Sequence, residues 1–290
     1  MKKILIGLLF VFLLAGCGEE KSQKTEKKYD ENSRIKIALI ADIHYCSTKG
    51  DLNNIDQLEQ FSRNLNSYNT DFNFNLGDNI SLRVRDCTKN GKKDLARVFE
   101  VFNGSEIKFY QVLGDHDIKN FETYNQWLEY SDLKNSYYSL DYEAFHIIVL
   151  DTVTGGRQMR KDGKKFKFRD EWSQGQLLEE QLEWLREDLA NTDRNKIIIL
   201  SGQPLYIVET HDKNGDHVFG VDEGREEAVK ILKETQKEIV AVSGDAHVWR
   251  ENKDANITHY VIGSFGYSGG EWALFEWGKA GHSMIRQKLK

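Results

Sequence analysis

The sequence predicts an α/β fold in which two β-sheets pack together and helices cover their outer faces. Strand-like apolar runs alternate with helical patterns along the earlier part of the chain, which is typical of packed βα units. The later strand-like runs follow each other closely, and this favours antiparallel pairing. An α/β fold of about 255 residues, the length that remains after an N-terminal segment, is often a single domain.

Short apolar runs and two amphipathic stretches are the elements of this fold. Leucines recur at helical spacing beside Glu and Arg over residues 174–190, which predicts an amphipathic helix. Apolar residues between Ala228 and Thr235 indicate a second helix. We predict strands over residues 35–40, 72–76, 109–113, 137–140, 145–150, 197–200, 239–242, 259–262, 272–277 and 283–286.

The N-terminal segment, residues 1–17, is predicted to be a signal peptide. Lys2 and Lys3 precede an apolar run over residues 4–15, and Leu-Ala-Gly-Cys ends the segment at Cys17. This resembles the bacterial lipoprotein signal, whose cysteine becomes lipidated. A short transmembrane helix is the alternative, but the run is too short to cross a hydrocarbon core of roughly 30 Å comfortably. Residues 18–33 are predicted to form a polar tether, and residues 34–290 to form the folded domain.

Four short motifs end strand-like runs with residue types that bind metals. Gly-Asp after a strand is by itself ordinary turn chemistry. Four such motifs in series place their side chains at the carboxyl ends of neighbouring strands, where open α/β sheets bind ligands. The motifs are Asp42-Ile43-His44, Gly77-Asp78-Asn79, Gly114-Asp115-His116-Asp117 and Gly244-Asp245-Ala246-His247.

In their order, these motifs resemble those of the calcineurin-like metallophosphoesterase superfamily, which carries DxH, GDxx, GNHD or GNHE, HxP and GHxH. Gly202-Gln203-Pro204 stands at the HxP position and contains the only proline of the chain. The resemblance implies a four-layer α/β/β/α sandwich of two mixed sheets flanked by helices. It also implies a metal-dependent hydrolase of phosphoric esters.

By this resemblance, one metal ion is held by Asp42, His44, Asp78 and His247, with Asp78 bridging to a second position. All four keep the family's residue type. Two carboxylates and two neutral imidazoles also suit iron, manganese or zinc on chemical grounds.

The second position departs from the family pattern at three places. Asp115 stands where Asn is usual, and Gly202 and Asp245 stand where histidines are usual. The remaining donors are oxygens, which favour manganese, magnesium or calcium. The alternative is that this position is empty and its carboxylates have drifted, so the resemblance implies one or two divalent ions.

The resemblance also assigns His116 as the acid that protonates the leaving oxygen. Asp117 is expected to orient the His116 ring and to raise its pKa. A basic segment over residues 157–169 should rise from the same sheet edge, and we predict that Arg157 and Arg160 clamp the phosphate of the substrate. A solvated basic loop is the alternative interpretation.

Cysteine usage and net charge bound the compartment and the partners. Cys46 and Cys87 follow the first two motifs, so a disulfide between them is plausible outside the cytoplasm, and two unpaired thiols are the alternative. The net charge of −6 argues against a nucleic acid held by bulk electrostatics. A small anionic phosphoester is the expected substrate.

Taken together, these features predict an extracytoplasmic phosphoesterase, lipid-anchored at the cell membrane or envelope. It is expected to hydrolyse phosphate mono- or diesters with a metal-activated water. The alternative is a catalytically weak or inactive lipoprotein that binds metal or a phospho-ligand on the same fold.

Overall fold

The computed structural model describes residues 30, 32–154, 157–159, 166–168, 175–212 and 215–289. The predicted signal peptide, Cys17 and most of the predicted tether lie outside these ranges. No helix within them combines the length and the apolar character that are needed to span a bilayer.

In the described residues, strands and helices alternate up to residue 131 and strands predominate after it, with two single-turn 3-10 helices at Gly50–Leu52 and Asn66–Tyr68. The helices are α1 (Ile55–Leu65), α2 (Gly91–Asn103), α3 (Phe121–Ser131), α4 (Glu179–Asn191), α5 (Arg225–Glu234) and α6 (Phe265–Ser268). The strands are β1 (Ile35–Ile40), β2 (Phe72–Asn75), β3 (Phe109–Gln111), β4 (Tyr138–Tyr142), β5 (Phe145–Leu150), β6 (Arg157–Met159), β7 (Phe166–Phe168), β8 (Gly175–Gln176), β9 (Lys196–Ser201), β10 (Val208–Asp212), β11 (Gly215–Phe219), β12 (Val221–Glu223), β13 (Glu238–Ser243), β14 (Arg250–Asp254), β15 (Ile257–Val261), β16 (Glu271–Gly278) and β17 (Gly281–Lys288).

Two mixed sheets form the centre of the molecule. The first has the strand order β17-β16-β1-β2-β3, and its strands β1, β2 and β3 run parallel. The second has the order β14-β15-β13-β9-β5-β4, and its strands β15, β13, β9 and β5 run parallel. Antiparallel strands close the edges of both sheets at β17, β14 and β4.

Successive side chains along a strand point to opposite faces of the sheet and therefore pack in different buried clusters. In β1, Ile37 and Leu39 belong to a buried cluster that contains residues from both sheets, whereas Ala38 and Ile40 belong to a cluster shared with helices. This alternation follows from the two-residue period of a strand. Because both faces of β1 are apolar, the sheet must be covered on both sides.

Helices cover the outer faces of the two sheets. Residues of α1, α2 and α3 share a buried cluster with the outer face of the first sheet. Residues of α4 and α5 share another with the outer face of the second sheet. The predicted four-layer α/β/β/α sandwich is thereby confirmed.

The predicted helix over residues 174–190 was wrong at its start. It begins at Glu179, because Gly175 and Gln176 form β8, which pairs with β12. The backbone amide of Leu177 then donates to the carbonyl of Glu223, and Leu178 keeps an extended conformation. Pairing with a distant strand thus prevails over the local leucine pattern.

The parallel strands of both sheets end at one rim of the sandwich. The metal-type motifs follow β1, β2 and β3 in the first sheet and β13 in the second, and Gly202 follows β9. The fold therefore brings all these loops together, as expected for carboxyl ends of parallel strands.

Candidate metal centre

The motif loops hold their side chains in unusual backbone conformations. Asp42, His44, Asp78, Asp245 and His247 all have positive φ angles between 53° and 68°. This left-handed region is uncommon for residues other than glycine and costs of order 1 kcal/mol or more at each position. Of the six predicted metal ligands, only Asp115 avoids it, so the chain accepts local strain where it aims these side chains.

Two glycines allow the second and third motif loops to touch. A Cβ atom added to Gly77 would lie 2.6 Å from the Cα of Gly114, and one added to Gly114 would lie 2.0 Å from the backbone nitrogen of Asp78. Gly77 also has a φ of +100°, which other residues rarely adopt. The loops approach this closely only because both positions lack a side chain, and the approach places Asp78 beside Asp115.

In the first ligand group, donor atoms of Asp42, Asp78 and His247 all lie within 4.0 Å of Nε2 of His44. The Nε2 atoms of His44 and His247 lie 3.0 Å apart. Oδ1 of Asp42 lies 3.4 Å from Nε2 of His247, and Oδ2 of Asp78 lies 3.8 Å from Nε2 of His44. Two imidazole nitrogens facing each other between two carboxylates are the arrangement of ligands around a cation.

The ionisation of the two histidines differs. Burial, with the charges of His116 and His247, holds the pKa of His44 well below its usual value, so its ring is neutral and can ligate a metal. Burial also lowers the pKa of His247, but the charge of Asp42 and a hydrogen bond to it prevail and raise the pKa overall. The negative charge of Asp42 thus attracts a positive charge, whether a proton or a metal ion.

The second ligand group consists of carboxylates. Oxygens of Asp78, Asp115 and Asp245 lie within 4.8 Å of one another. Burial and the charge of Asp115 raise the pKa of Asp78 well above its usual value, and the same two causes raise the pKa of Asp245. Carboxylates this close repel each other unless a cation or a proton intervenes.

No side chain replaces the histidine that the family carries at the position of Gly202. A Cβ atom there would lie 2.5 Å from the carbonyl oxygen of Leu113, so the backbone leaves no room for one. The neighbouring Gln203 instead hydrogen-bonds Asp245, which moderates the rise in the pKa of that carboxyl. The second group therefore lacks a nitrogen ligand from this loop.

Arg83 is a site residue that the sequence analysis missed. Its guanidinium Nη1 forms an ion pair with Oδ2 of Asp115, within the second ligand group. The available signal was its place in the chain, between the second motif and Cys87, on a loop already expected at the same rim of the sheet.

Tyr267 was also missed. It lies on the short helix α6, and its ring is 5.1 Å from that of His44 and 5.0 Å from that of His247, measured between centroids. Its side chain is largely exposed. The Tyr267 ring therefore packs against both histidines on one side of the first ligand group, and no sequence motif marks this residue.

The predicted pairing of Asp117 with the His116 ring is wrong. Every hydrogen bond that the Asp117 carboxylate accepts, among the described residues, comes from Gly114 or from the loop Asp78 to Ile80, at 2.7 to 3.4 Å. Burial raises the pKa of Asp117 to about 7, although these hydrogen bonds oppose the rise. Asp117 is fully buried beneath the loop and positions its backbone.

The pKa of His116 also departs from the expectation, because burial lowers it. The charge of Asp115 opposes this effect, whereas that of Arg83 adds to it. The His116 ring lies edge-on to the His44 ring with centroids 4.7 Å apart, and a quarter of its side chain is exposed. It therefore borders the ligand group and faces the open side of the site.

A family model described as calcineurin-like phosphoesterase matches residues 35–249. The chain belongs to the calcineurin-like phosphoesterases. The match begins at the first residue of β1 and includes all four motifs, so the family covers both ligand groups.

Solved structures share the fold of this phosphoesterase at low sequence identity. A dimetal phosphatase from Danio rerio is 14% identical, with a TM-score of 0.65 over 88% of this chain and 99% of that one. Purple acid phosphatase PPD1 from yellow lupin is 15% identical, with a TM-score of 0.56 over 89% of this chain and 52% of that one. GAP50 of Plasmodium, described as the anchor in the inner membrane complex, is 18% identical, with a TM-score of 0.56 over 89% of each chain. No curated protein matches.

A disulfide links the loops of the first two motifs. Cys46 and Cys87 are bonded, and both are buried beside Leu52 and Val84. The bond closes a segment with a sequence separation of 41 residues. It ties the loop after His44 to the loop that carries Arg83, at the rim of the phosphoesterase site.

The predicted substrate-binding arginines are only partly described. Arg157 lies in β6, which pairs antiparallel with β7 within the predicted basic segment. Its side chain, and the whole of Arg160, lie outside the described residues, so their role stays a prediction.

The different environments of Asp117 and His116 predict separable effects. Asp117→Asn places an amide against backbone N–H groups, leaving buried donors unsatisfied at about 1–3 kcal/mol each. We expect this variant to lose at least about 2 kcal/mol of unfolding free energy in urea and to bind metal more weakly, because the Asp78 loop loosens. His116→Ala should retain both properties. Wild-type stability and metal affinity in Asp117→Asn would contradict the positioning role.

Proposed function

We propose that this chain is a metal-dependent phosphoesterase that works outside the cytoplasm, anchored to a membrane by lipid. The observation that carries the proposed reaction is the convergence of two imidazole nitrogens and two carboxylates at the rim of the sandwich. Family membership supports a phosphate-containing substrate. We propose small, anionic phosphate mono- or diesters.

The first ligand group fits a metal ion by its donor chemistry. Asp42, His44, Asp78 and His247 would hold iron, manganese or zinc, which accept mixed nitrogen and oxygen ligands. When bound, such an ion supplies an acidified water as nucleophile and stabilises charge on the phosphoryl oxygens. The carboxylates of the second group suit manganese, magnesium or calcium where a second ion binds.

His116 is the candidate general acid. Its backbone amide donates to Oδ1 of Asp78 at 2.8 Å, which fixes the start of its side chain beside the first ligand group. Its partly exposed ring can reach an oxygen that leaves toward solvent. In this role His116 holds and delivers a proton, whereas the ligands only bind and orient.

Local positive charge is needed because the site is strongly acidic. Four carboxylates, those of Asp42, Asp78, Asp115 and Asp245, repel an approaching phosphate unless cations compensate them. We propose that bound metal and the basic segment over residues 157–169 provide that compensation, with Arg157 and Arg160 as phosphate-binding residues.

A second candidate is a binding protein with little or no turnover. The absence of a ligand at Gly202 favours it, because the family's second position loses a nitrogen donor there. The likeness of fold to GAP50, described as an anchor, is compatible with a non-catalytic role. In this version the lipoprotein would bind metal or a phospho-ligand without hydrolysis.

Turnover by His116 separates the two candidates. Metal-loaded wild-type protein should hydrolyse chromogenic phosphomonoesters or phosphodiesters, and chelation should abolish this. His116→Ala should lose about 100-fold or more in kcat on poor leaving groups, which need a proton, and much less on nitrophenyl esters. The control is His282→Ala, because His282 lies in β17, a strand that carries none of the four motifs. Undetectable hydrolysis by wild-type protein with full metal content would favour the binding protein.

Membrane attachment depends on Cys17 in this proposal. Cys17→Ser should stop lipidation, because the hydroxyl cannot form the thioether, and should prevent processing at that site. We expect the wild-type chain in the detergent phase of a phase-partition experiment after expression in a bacterial host. The variant should lose incorporation of a labelled fatty acid. Equal labelling of both forms would rule out Cys17 as the anchor.

A further inference from the structure

The second ligand group contains a positive charge of its own. The guanidinium of Arg83 forms an ion pair with Oδ2 of Asp115, one of the three carboxylates that face each other there. Asp115 is buried and four-fifths of the Arg83 side chain is covered, so water screens this pair less than it would a surface pair. Arg83 thus places a fixed positive charge beside a carboxylate that a second metal would need.

The backbone around Arg83 is fixed on both sides. The amide of Leu82 donates to the carbonyl of His116 at 3.1 Å, and the Leu82 side chain packs where Gly91 leaves room at the start of α2. Cys87, four residues after Arg83, is bonded to Cys46. Arg83 therefore projects from a short loop tied at two points.

The field of Arg83 extends beyond its direct partner. Oxygens of Asp78, Asp115 and Asp245 lie within 4.8 Å of one another, so a charge paired with Asp115 also lies close to the other two carboxylates. A guanidinium remains charged at all ordinary pH values. One fixed positive charge is therefore shared by the carboxylates of the second group.

The same group has lost a ligand that would favour a metal. The backbone at Gly202 has no space for a side chain, because a Cβ atom would meet the carbonyl oxygen of Leu113. An oxygen-only group lacks the imidazole nitrogens that iron and zinc favour, so it binds those ions less tightly than a group with histidines. The missing nitrogen donor disfavours iron or zinc at this position, and the positive charge of Arg83 disfavours any second cation.

We infer that Arg83 is a built-in competitor of the second metal ion: its guanidinium holds Asp115 and makes the second site weak, so that the first ion binds tightly and alone at low metal concentration. The inference rests on the proposed metal site but not on turnover. It makes Arg83 the residue that sets how many ions the protein carries.

Metal stoichiometry tests the inference in the full chain. Equilibrium dialysis with elemental analysis measures Mn²⁺ binding to the wild-type protein. We expect it to show one tight and one weak site. In Arg83→Gln the weak site should tighten at least about tenfold, because one close competing charge is gone. Arg85→Gln is the matched control: it removes the same charge two residues away, from an exposed position on the same loop, and should resemble wild type.

A chemical-rescue experiment distinguishes loss of the Arg83 charge from a folding defect in the variant. Arg83→Ala should also tighten the second site, and added methylguanidinium should weaken it again by occupying the vacated position. Wild type should not respond. This competition needs a folded site, which urea unfolding of each variant checks directly.

The outcomes separate this inference from the proposed function. Two tight sites in wild type, or an unchanged second affinity in Arg83→Gln and Arg83→Ala, would overturn the role of Arg83 while leaving the first site intact. Absence of tight Mn²⁺, iron or zinc binding in both wild type and Arg85→Gln would instead overturn the proposed metal-dependent function.

Discussion

Electrostatic repulsion among aspartate carboxylates at the rim of the sandwich is the constraint on which this site depends. Asp42, Asp78 and Asp115 are buried, and Asp245 is partly covered. Desolvation makes such a cluster unfavourable unless positive charge is supplied. The His247 imidazole lies beside Asp42 on one side, and the Arg83 guanidinium lies beside Asp115 on the other. The two ligand groups are two different ways of neutralising one acidic cluster.

The fold positions this cluster through strained backbone conformations in the loops at the rim. Parallel strands from both sheets end at the same rim, but five ligands reach the centre only through positive φ angles. Gly77 and Gly114 permit the contact between two loops, and the buried Asp117 carboxylate binds the amides of one of them. The free energy for this strain comes from the apolar layers beneath the rim. A bound cation would offset part of this strain energy by stabilising the carboxylates.

Much of the fold and of the ligand set could be predicted because the signals are local. The apolar runs predicted strands close to those observed. The motif residues directly follow these strands, so they lie close together where parallel strands end at one rim. The start of α4 could not be predicted, since β8 forms only by pairing with β12. Asp117 was misassigned because adjacency to His116 says nothing about the direction of its side chain. Arg83 depends on a loop path that the Cys46–Cys87 bond and the packing of Leu82 fix.

The central claim is that a metal ion neutralises the Asp42 and Asp78 carboxylates and is ligated by the imidazoles of His44 and His247. Elemental analysis of the purified chain, paired with Asp42→Asn, tests it most directly. The account predicts at least about one equivalent of iron, manganese or zinc in the wild-type protein, and a large loss in a variant that remains folded. Folded wild-type protein that stays free of these metals after exposure to each of them would contradict the account.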